Sequence, residues 1–101
     1  MNNNFETISK VLPKREIYEM LAEETAELSQ AALKCIRAEK LSLHPTDKSE
    51  EDAKANLKEE MNDVLFCIYA LGFDKLPSKE ELNNSKKMTR LLNRLKSIDV
   101  L

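Results

Sequence analysis

KREIYEMLAEETAELSQAALKCIRAE, residues 14–39, runs for twenty-six positions without a glycine or proline, and its apolar residues return at helical spacing. Ile17, Leu21, Leu28, Ala31, Ala32 and Cys35 fall on one face of a wheel drawn at about 3.6 residues per turn. Glu24 lands in the middle of that face, an acid in a core position. Glu27 lies one turn later at its edge, and Glu23 turns further towards water. Pro13 stands where the first turn has no use for an N–H, so the helix is expected from Lys14 to about Glu39.

Reading outward, KLSLHPTDK at 40–48 breaks the period and contains Pro45, which predicts a loop. Ser49 is placed to cap a following helix that reaches about Leu71, and Gly72 suits a left-handed cap at its end. The apolar face of this helix reads Ala53, Leu57, Met61, Val64, Ile68 and Leu71. Glu60 falls inside that arc, with Asp63 on its border beside Asn56 and Cys67. Upstream, a short helix over 4–11 starts from Asn3 or Asn4 and gathers Phe5, Ile8 and Leu12 on one side. Downstream, Pro77 and Ser78-Lys79-Glu80-Glu81 form a capping box for a fourth helix that continues to about Ser97. Its stripe of Leu82, Met88, Leu91, Leu92 and Leu95 has Lys86, Lys87, Arg90 and Arg94 around it.

The composition agrees with this pattern. One glycine and 34% charged residues in 101 leave little with which to turn hairpins, and the length fits one all-α domain over 1–101 with its centre at 14–74. If the two long helices fold back as an antiparallel hairpin about His44, residues whose numbers sum to about 89 sit level. Glu24/Glu27 and Glu60/Asp63 then meet at one height, and four carboxylates converge within about one helical turn of 5.4 Å. Like charges on a half-buried seam demand protons or cations. All-oxygen ligation suits a hard ion, Mg²⁺ or Mn²⁺, and the lone His44 sits in the loop, so no Glu-x-x-His pair marks a di-iron centre. By the same register Cys35 lies opposite about Lys54 and Cys67 opposite about Ala22. The two thiols are then about 20 Å apart, out of disulfide reach, and are expected as reduced core residues.

LAEETAEL at 21–28 and LKEEMNDVL at 57–65 resemble the E-x-x-E and E-x-x-D signatures of the MazG-like, all-α nucleoside triphosphate pyrophosphohydrolases. The resemblance covers roughly residues 14–74. It implies cleavage of a nucleoside triphosphate between the α- and β-phosphates, giving a monophosphate and pyrophosphate. By position it implies Glu24, Glu27, Glu60 and Asp63 as Mg²⁺ ligands, and Glu23 as a neighbouring acid that, with Glu24, serves catalysis by helping to orient a water. A basic side chain should face the triphosphate. Lys34, two turns beyond Glu27 on the same edge, is the best placed candidate, with Lys54 and Lys58 on the third helix and Lys87 and Arg90 on the fourth.

A net charge of −2 gives no global basic field for nucleic acid and no polybasic segment for anionic lipid. The longest apolar stretch, 64–73, is about half of what a membrane-spanning helix needs, and MNNNFETISK lacks the apolar core of a signal peptide. A cytoplasmic protein is therefore expected. From Val64 to Leu71 the third helix is apolar nearly all round, more than one hairpin partner covers. The fourth helix is expected to take part of it, and a homodimer or homotetramer with a four-helix bundle at each seam the rest, as the resemblance also implies. Two other functions stay open. One is a non-catalytic helical interaction or regulatory protein that uses the acidic seam for oligomer or partner contacts; the other is a different Mg²⁺-dependent phosphohydrolase, such as a phosphodiesterase, with the same metal site.

Overall fold

A computed structural model describes residues 3–101, and among them the chain is all helix and connection. Five helices follow in order: α1 (Asn4–Val11), α2 (Lys14–Ala38), α3 (Glu50–Ala70), α4 (Lys79–Asn83) and α5 (Lys86–Ser97). Most starts carry a side-chain cap. Asn3 Oδ1 accepts from the N–H groups of Phe5 and Glu6 at 3.1 and 3.2 Å, and Ser49 Oγ accepts from Asp52 at 3.1 Å. Ser78 and Glu81 form the expected capping box. Pro13 precedes α2 in an extended conformation and presents no side-chain cap.

The fourth expected helix is two. Asn84 ends α4, and Ser85 opens α5 by accepting the Met88 N–H at 3.2 Å. A serine that offers the backbone its own hydroxyl competes with helix continuation, and Asn-Asn-Ser at 83–85 supplies three such residues in a row.

α2 and α3 pack along their length as the antiparallel hairpin that the loop predicts. The register is close to the expected one: the Cys35 thiol donates to the Ala53 carbonyl at 3.4 Å, and Lys54 Nζ lies 3.8 Å from Glu39 Oε1. Both thiols are free and buried. The most buried positions of the seam are small side chains, Ala31, Cys35 and Ala38 of α2 and Ala53, Cys67 and Ala70 of α3, and Ile17 is the large residue buried with them among the described residues. α3 is rotated from the expected face, since Met61 is 49% exposed while Cys67 and Ala70 are buried. On α2, Ala32 is exposed and Ala38 buried. α1 lies on the C-terminal half of α3 through Phe5, whose ring centroid is 5.3 Å from Phe66 and 6.0 Å from Tyr69.

α4 and α5 pack on each other, and among the described residues neither forms a seam with the hairpin. This corrects the expectation that the fourth helix covers α3. The chain accordingly has a radius of gyration of 17.7 Å, where a compact chain of this length has about 13 Å. Its accessible surface is 8580 Å², against about 5,800 Å² for a compact monomer of this mass.

Three helices end alike. Gly72, Lys40 and Asp99 take φ of 100°, 58° and 56°, and the next N–H bonds back to a carbonyl of the last turn: Phe73 to Ile68, Leu41 to Ile36 and Val100 to Leu95. Only Gly72 enters that left-handed region without steric cost. Lys40→Gly is therefore expected to stabilise the fold by about 0.5–1 kcal/mol, relief of Cβ crowding outweighing the added freedom of the unfolded chain. Thermal unfolding followed by circular dichroism checks this, and an unchanged or lower Tm contradicts it.

Candidate metal centre

The hairpin holds its acids where small seam residues let the helices approach. Glu24, on α2, sits one turn before Leu28 and two before Ala31; Glu60 and Asp63, on α3, alternate with Leu57, Val64 and Cys67. All three acids are half-buried, and one carboxylate oxygen from each lies within 4.8 Å of the others. Three like-charged groups so close, on two different elements, cost stability unless something neutralises them.

Glu24 Oε2 and Glu60 Oε2 are shielded from water and lack a hydrogen-bond partner among the described residues. Buried carboxylate oxygens are ordinarily satisfied; the Glu24 and Glu60 carboxyls face each other closely enough to share a proton held on Glu24, and the two shielded oxygens are the acceptor capacity left over. Desolvation pushes the Glu24 carboxyl above its ordinary range, with the negative charge of Asp63 the next cause and Glu27 and Glu60 adding to it. Glu60 is raised in the same way, by desolvation and then by Glu27 and Asp63.

Of the four expected ligands, the structure thus brings Glu24, Glu60 and Asp63 together. Glu27 is exposed at the rim, outside the closest group, yet near enough for its charge to act on both Glu24 and Glu60. Glu23 faces solvent beside Glu24, and Lys34 is exposed two turns beyond Glu27. Lys87 and Arg90 lie on α5, apart from the hairpin. Arg90 lines a hollow with Asn84, Lys86 and Thr89 instead of turning to the acids.

Cys67 belongs to the same neighbourhood, one turn beyond Asp63. Burial pushes its thiol up, and Glu24 and Asp63 push it further, so it stays protonated as an uncharged floor to the cluster. In the sequence Cys67 lies on the border of the acids' face and reads as core; its i,i+4 spacing from Asp63 is the signal that links it to the site.

The donor set is compatible with a hard divalent cation: it offers oxygen atoms only and has two spare acceptors, so Glu24, Glu60 and Asp63 are the residues that would hold such an ion, with Glu27 at the rim; protonation of the raised carboxyls relieves the same charge without one. Exposed acidic groups commonly exist without an ion, and the shielded oxygens distinguish this cluster from a merely solvated one.

No protein family, curated protein or solved structure matches the chain. Among the described residues no helix is long and apolar enough to cross a membrane.

The raised carboxyls make stability depend on pH with a definite sign. A group whose folded pKa lies above its unfolded value contributes stability that is full below the unfolded pKa and is lost as pH rises through the folded one. The metal-free protein is therefore expected to lose melting temperature as pH climbs from about 4.5, the ordinary carboxyl value, through the raised values of Glu24 and Glu60. Glu24→Gln removes one charge of the cluster, should raise Tm at neutral pH and should flatten that slope. A lower Tm for Glu24→Gln across the whole range would show the carboxylate paired within the fold and contradict a repulsive cluster.

Proposed function

We propose that the protein is a metal-dependent nucleoside triphosphate pyrophosphohydrolase that cleaves between the α- and β-phosphates. The observation that carries this reading is the carboxylate cluster on the hairpin seam with two shielded, unpartnered oxygens. It is supported by the order and spacing of LAEETAEL and LKEEMNDVL, which resemble the signatures of the MazG-like enzymes.

A bound divalent cation supplies charge neutralisation at the phosphate oxygens and fixes them for in-line attack. The chain's own residues do the rest. Glu24, Glu60 and Asp63 would hold the ion from two helices at once, so the packing of α2 on α3 would set its position. Glu27 adds negative charge at the rim. Glu23, exposed beside Glu24, accepts a hydrogen bond from the attacking water and orients its lone pair towards the α-phosphorus. The water oxygen forms the new bond to that phosphorus as its proton passes by way of Glu23 to solvent, the bond from the α-phosphorus to the α–β bridging oxygen breaks, and that oxygen leaves with the pyrophosphate, the other product being the monophosphate. Cys67 stays uncharged throughout and keeps the floor of the site dry.

The reading also calls for a homo-oligomer. Tyr18, Ala22, Thr25, Ser29, Ala32 and Ile36 make a stripe without charge along α2, on the side away from Glu23 and Glu27, and Met61 and Leu65 continue it on α3. Two such faces apposed give a four-helix bundle and leave both acid clusters outside the seam. Nucleotide substrates place the work in the cytoplasm.

Incubating the protein with a panel of ordinary and modified nucleoside triphosphates, with and without Mg²⁺ or Mn²⁺, tests the reaction. Metal-dependent release of pyrophosphate and monophosphate is expected, falling by about 100-fold or more in Glu24→Gln and Asp63→Asn. Release of single phosphates would assign a different phosphohydrolase. No turnover, with no metal-induced rise in Tm, would favour the non-catalytic interaction protein.

A further inference from the structure

The residues of α5, KKMTRLLNRLKS, carry five cations and no acid. With a whole-chain charge of −2, the remainder of the protein carries −7. On a helical wheel Met88, Leu91, Leu92 and Leu95 share an arc of about 100°. Lys87 and Arg94 flank that arc on the Leu91 side, while Arg90 turns further away. The stripe is open: Leu91 and Leu92 are each 41% exposed, and among the described residues the substantial packing of α5 is on α4.

The hairpin carries the matching surface. Phe5, Phe66 and Tyr69 form an aromatic cluster, each ring more than a third exposed. Phe66 stands one turn from Asp63, and Glu59 shares its side of α3. An apolar patch with an acidic rim thus sits on one part of the chain, and an apolar stripe with a basic rim on another. Substantial packing within the chain does not join them, and its surface exceeds that of a compact monomer by about 2,700 Å², slightly more than the roughly 1,000–2,500 Å² that each partner buries in a permanent homodimer.

We propose that α4 and α5 form an exchange arm that docks on the hairpin of a second copy. Its leucine stripe covers the Phe5–Phe66–Tyr69 cluster, and Lys87 and Arg94 come to rest at the acidic rim beside Asp63. Building on the hydrolase reading, these two side chains face the anionic end of a triphosphate held at the partner's carboxylates. Charge separation within the chain favours this occupant over an anionic lipid surface, because the −7 outside α5 is repelled by such a surface at short range. The arm also assigns Arg94, not Arg90, as the partner of Lys87.

Carbodiimide cross-linking of full-length protein tests the docking without any assay of activity. Chains labelled with ¹⁴N and ¹⁵N are mixed unfolded, refolded together and cross-linked. Links between Lys87 and Glu59 or Asp63 are expected, with about half of them joining chains of different label. Links within one label only would place the arm on its own chain, and an absence of links, with or without binding to anionic vesicles, would leave it undocked; each overturns the proposal. A wild type that turns over no nucleotide but forms mixed-label links would reject the hydrolase and keep the arm. If it is active, Glu24→Gln mixed with a Lys87→Ala/Arg94→Ala chain should recover about a quarter of wild-type activity, because half of the dimers are mixed and each holds one intact site. No recovery would show the cations acting within one chain.

Discussion

The close approach of α2 to α3 is the constraint on which the other features depend. Interaxial distance in helix packing is set by the side chains at the contact, and the fully covered positions of this one are mostly alanines and cysteines, with Ile17 beside them and Leu57 packed against the cluster. With leucine or phenylalanine at Ala31, Ala53 or Cys67, the axes would separate and the carboxylates of Glu24, Glu60 and Asp63 would move out of common reach. The small residues therefore do two things at once. They bury little apolar area, which leaves the hairpin short of stabilisation, and they bring opposed acids within 4.8 Å, which weakens it further.

That balance explains why a single chain is so open. A seam of small residues leaves Tyr18, Ile36, Met61, Phe66 and Tyr69 outside it, and the arm of α4 and α5 keeps its own leucines uncovered. Surface of this kind is usually completed by another copy, since a chain of about 100 residues has little core to spare. The uncharged side of the hairpin and its acidic side present different chemistry to such a partner. The first suits a symmetric helical seam; the second needs cations, whether from a metal, from a basic helix, or from both.

Much of this was legible in the sequence, and the gaps have physical causes. The hairpin, its register and the convergence of Glu24, Glu60 and Asp63 follow from the loop centre and the 3.6-residue period, because both are geometric. The rotation of α3 escaped the wheel because Met61 outweighs Cys67 and Ala70 in hydrophobicity, whereas what selects the buried face here is small size. Asn84 and Ser85 read as ordinary helix surface until the Ser85 hydroxyl is seen to cap the Met88 N–H. The left-handed caps at Lys40 and Asp99 carry no glycine, so only Gly72 announced itself. The cations of α5 were recognised as a group, but their position depends on tertiary packing that one chain does not supply.

The acid cluster is also where local rules and the fold disagree most. Glutamate suits a helix as well as leucine does, but the packing of a seam would put an apolar residue at Glu24 and Glu60, and the raised carboxyls show that the fold resists their charge. A salt bridge would resolve the conflict cheaply, yet Lys34 points to solvent, Lys54 pairs with Glu39, and the basic helix stands apart. The chain thus carries sixteen cations and places none of its lysines or arginines within the seam that has most need of one. Under the proposed hydrolase reading, a cation entering this seam would gain the attraction of all three carboxylates and relieve their mutual repulsion in the same step. Protonation of Glu24 and Glu60 gives the metal-free chain the same relief, so metal binding and the pH dependence of stability would draw on one arrangement.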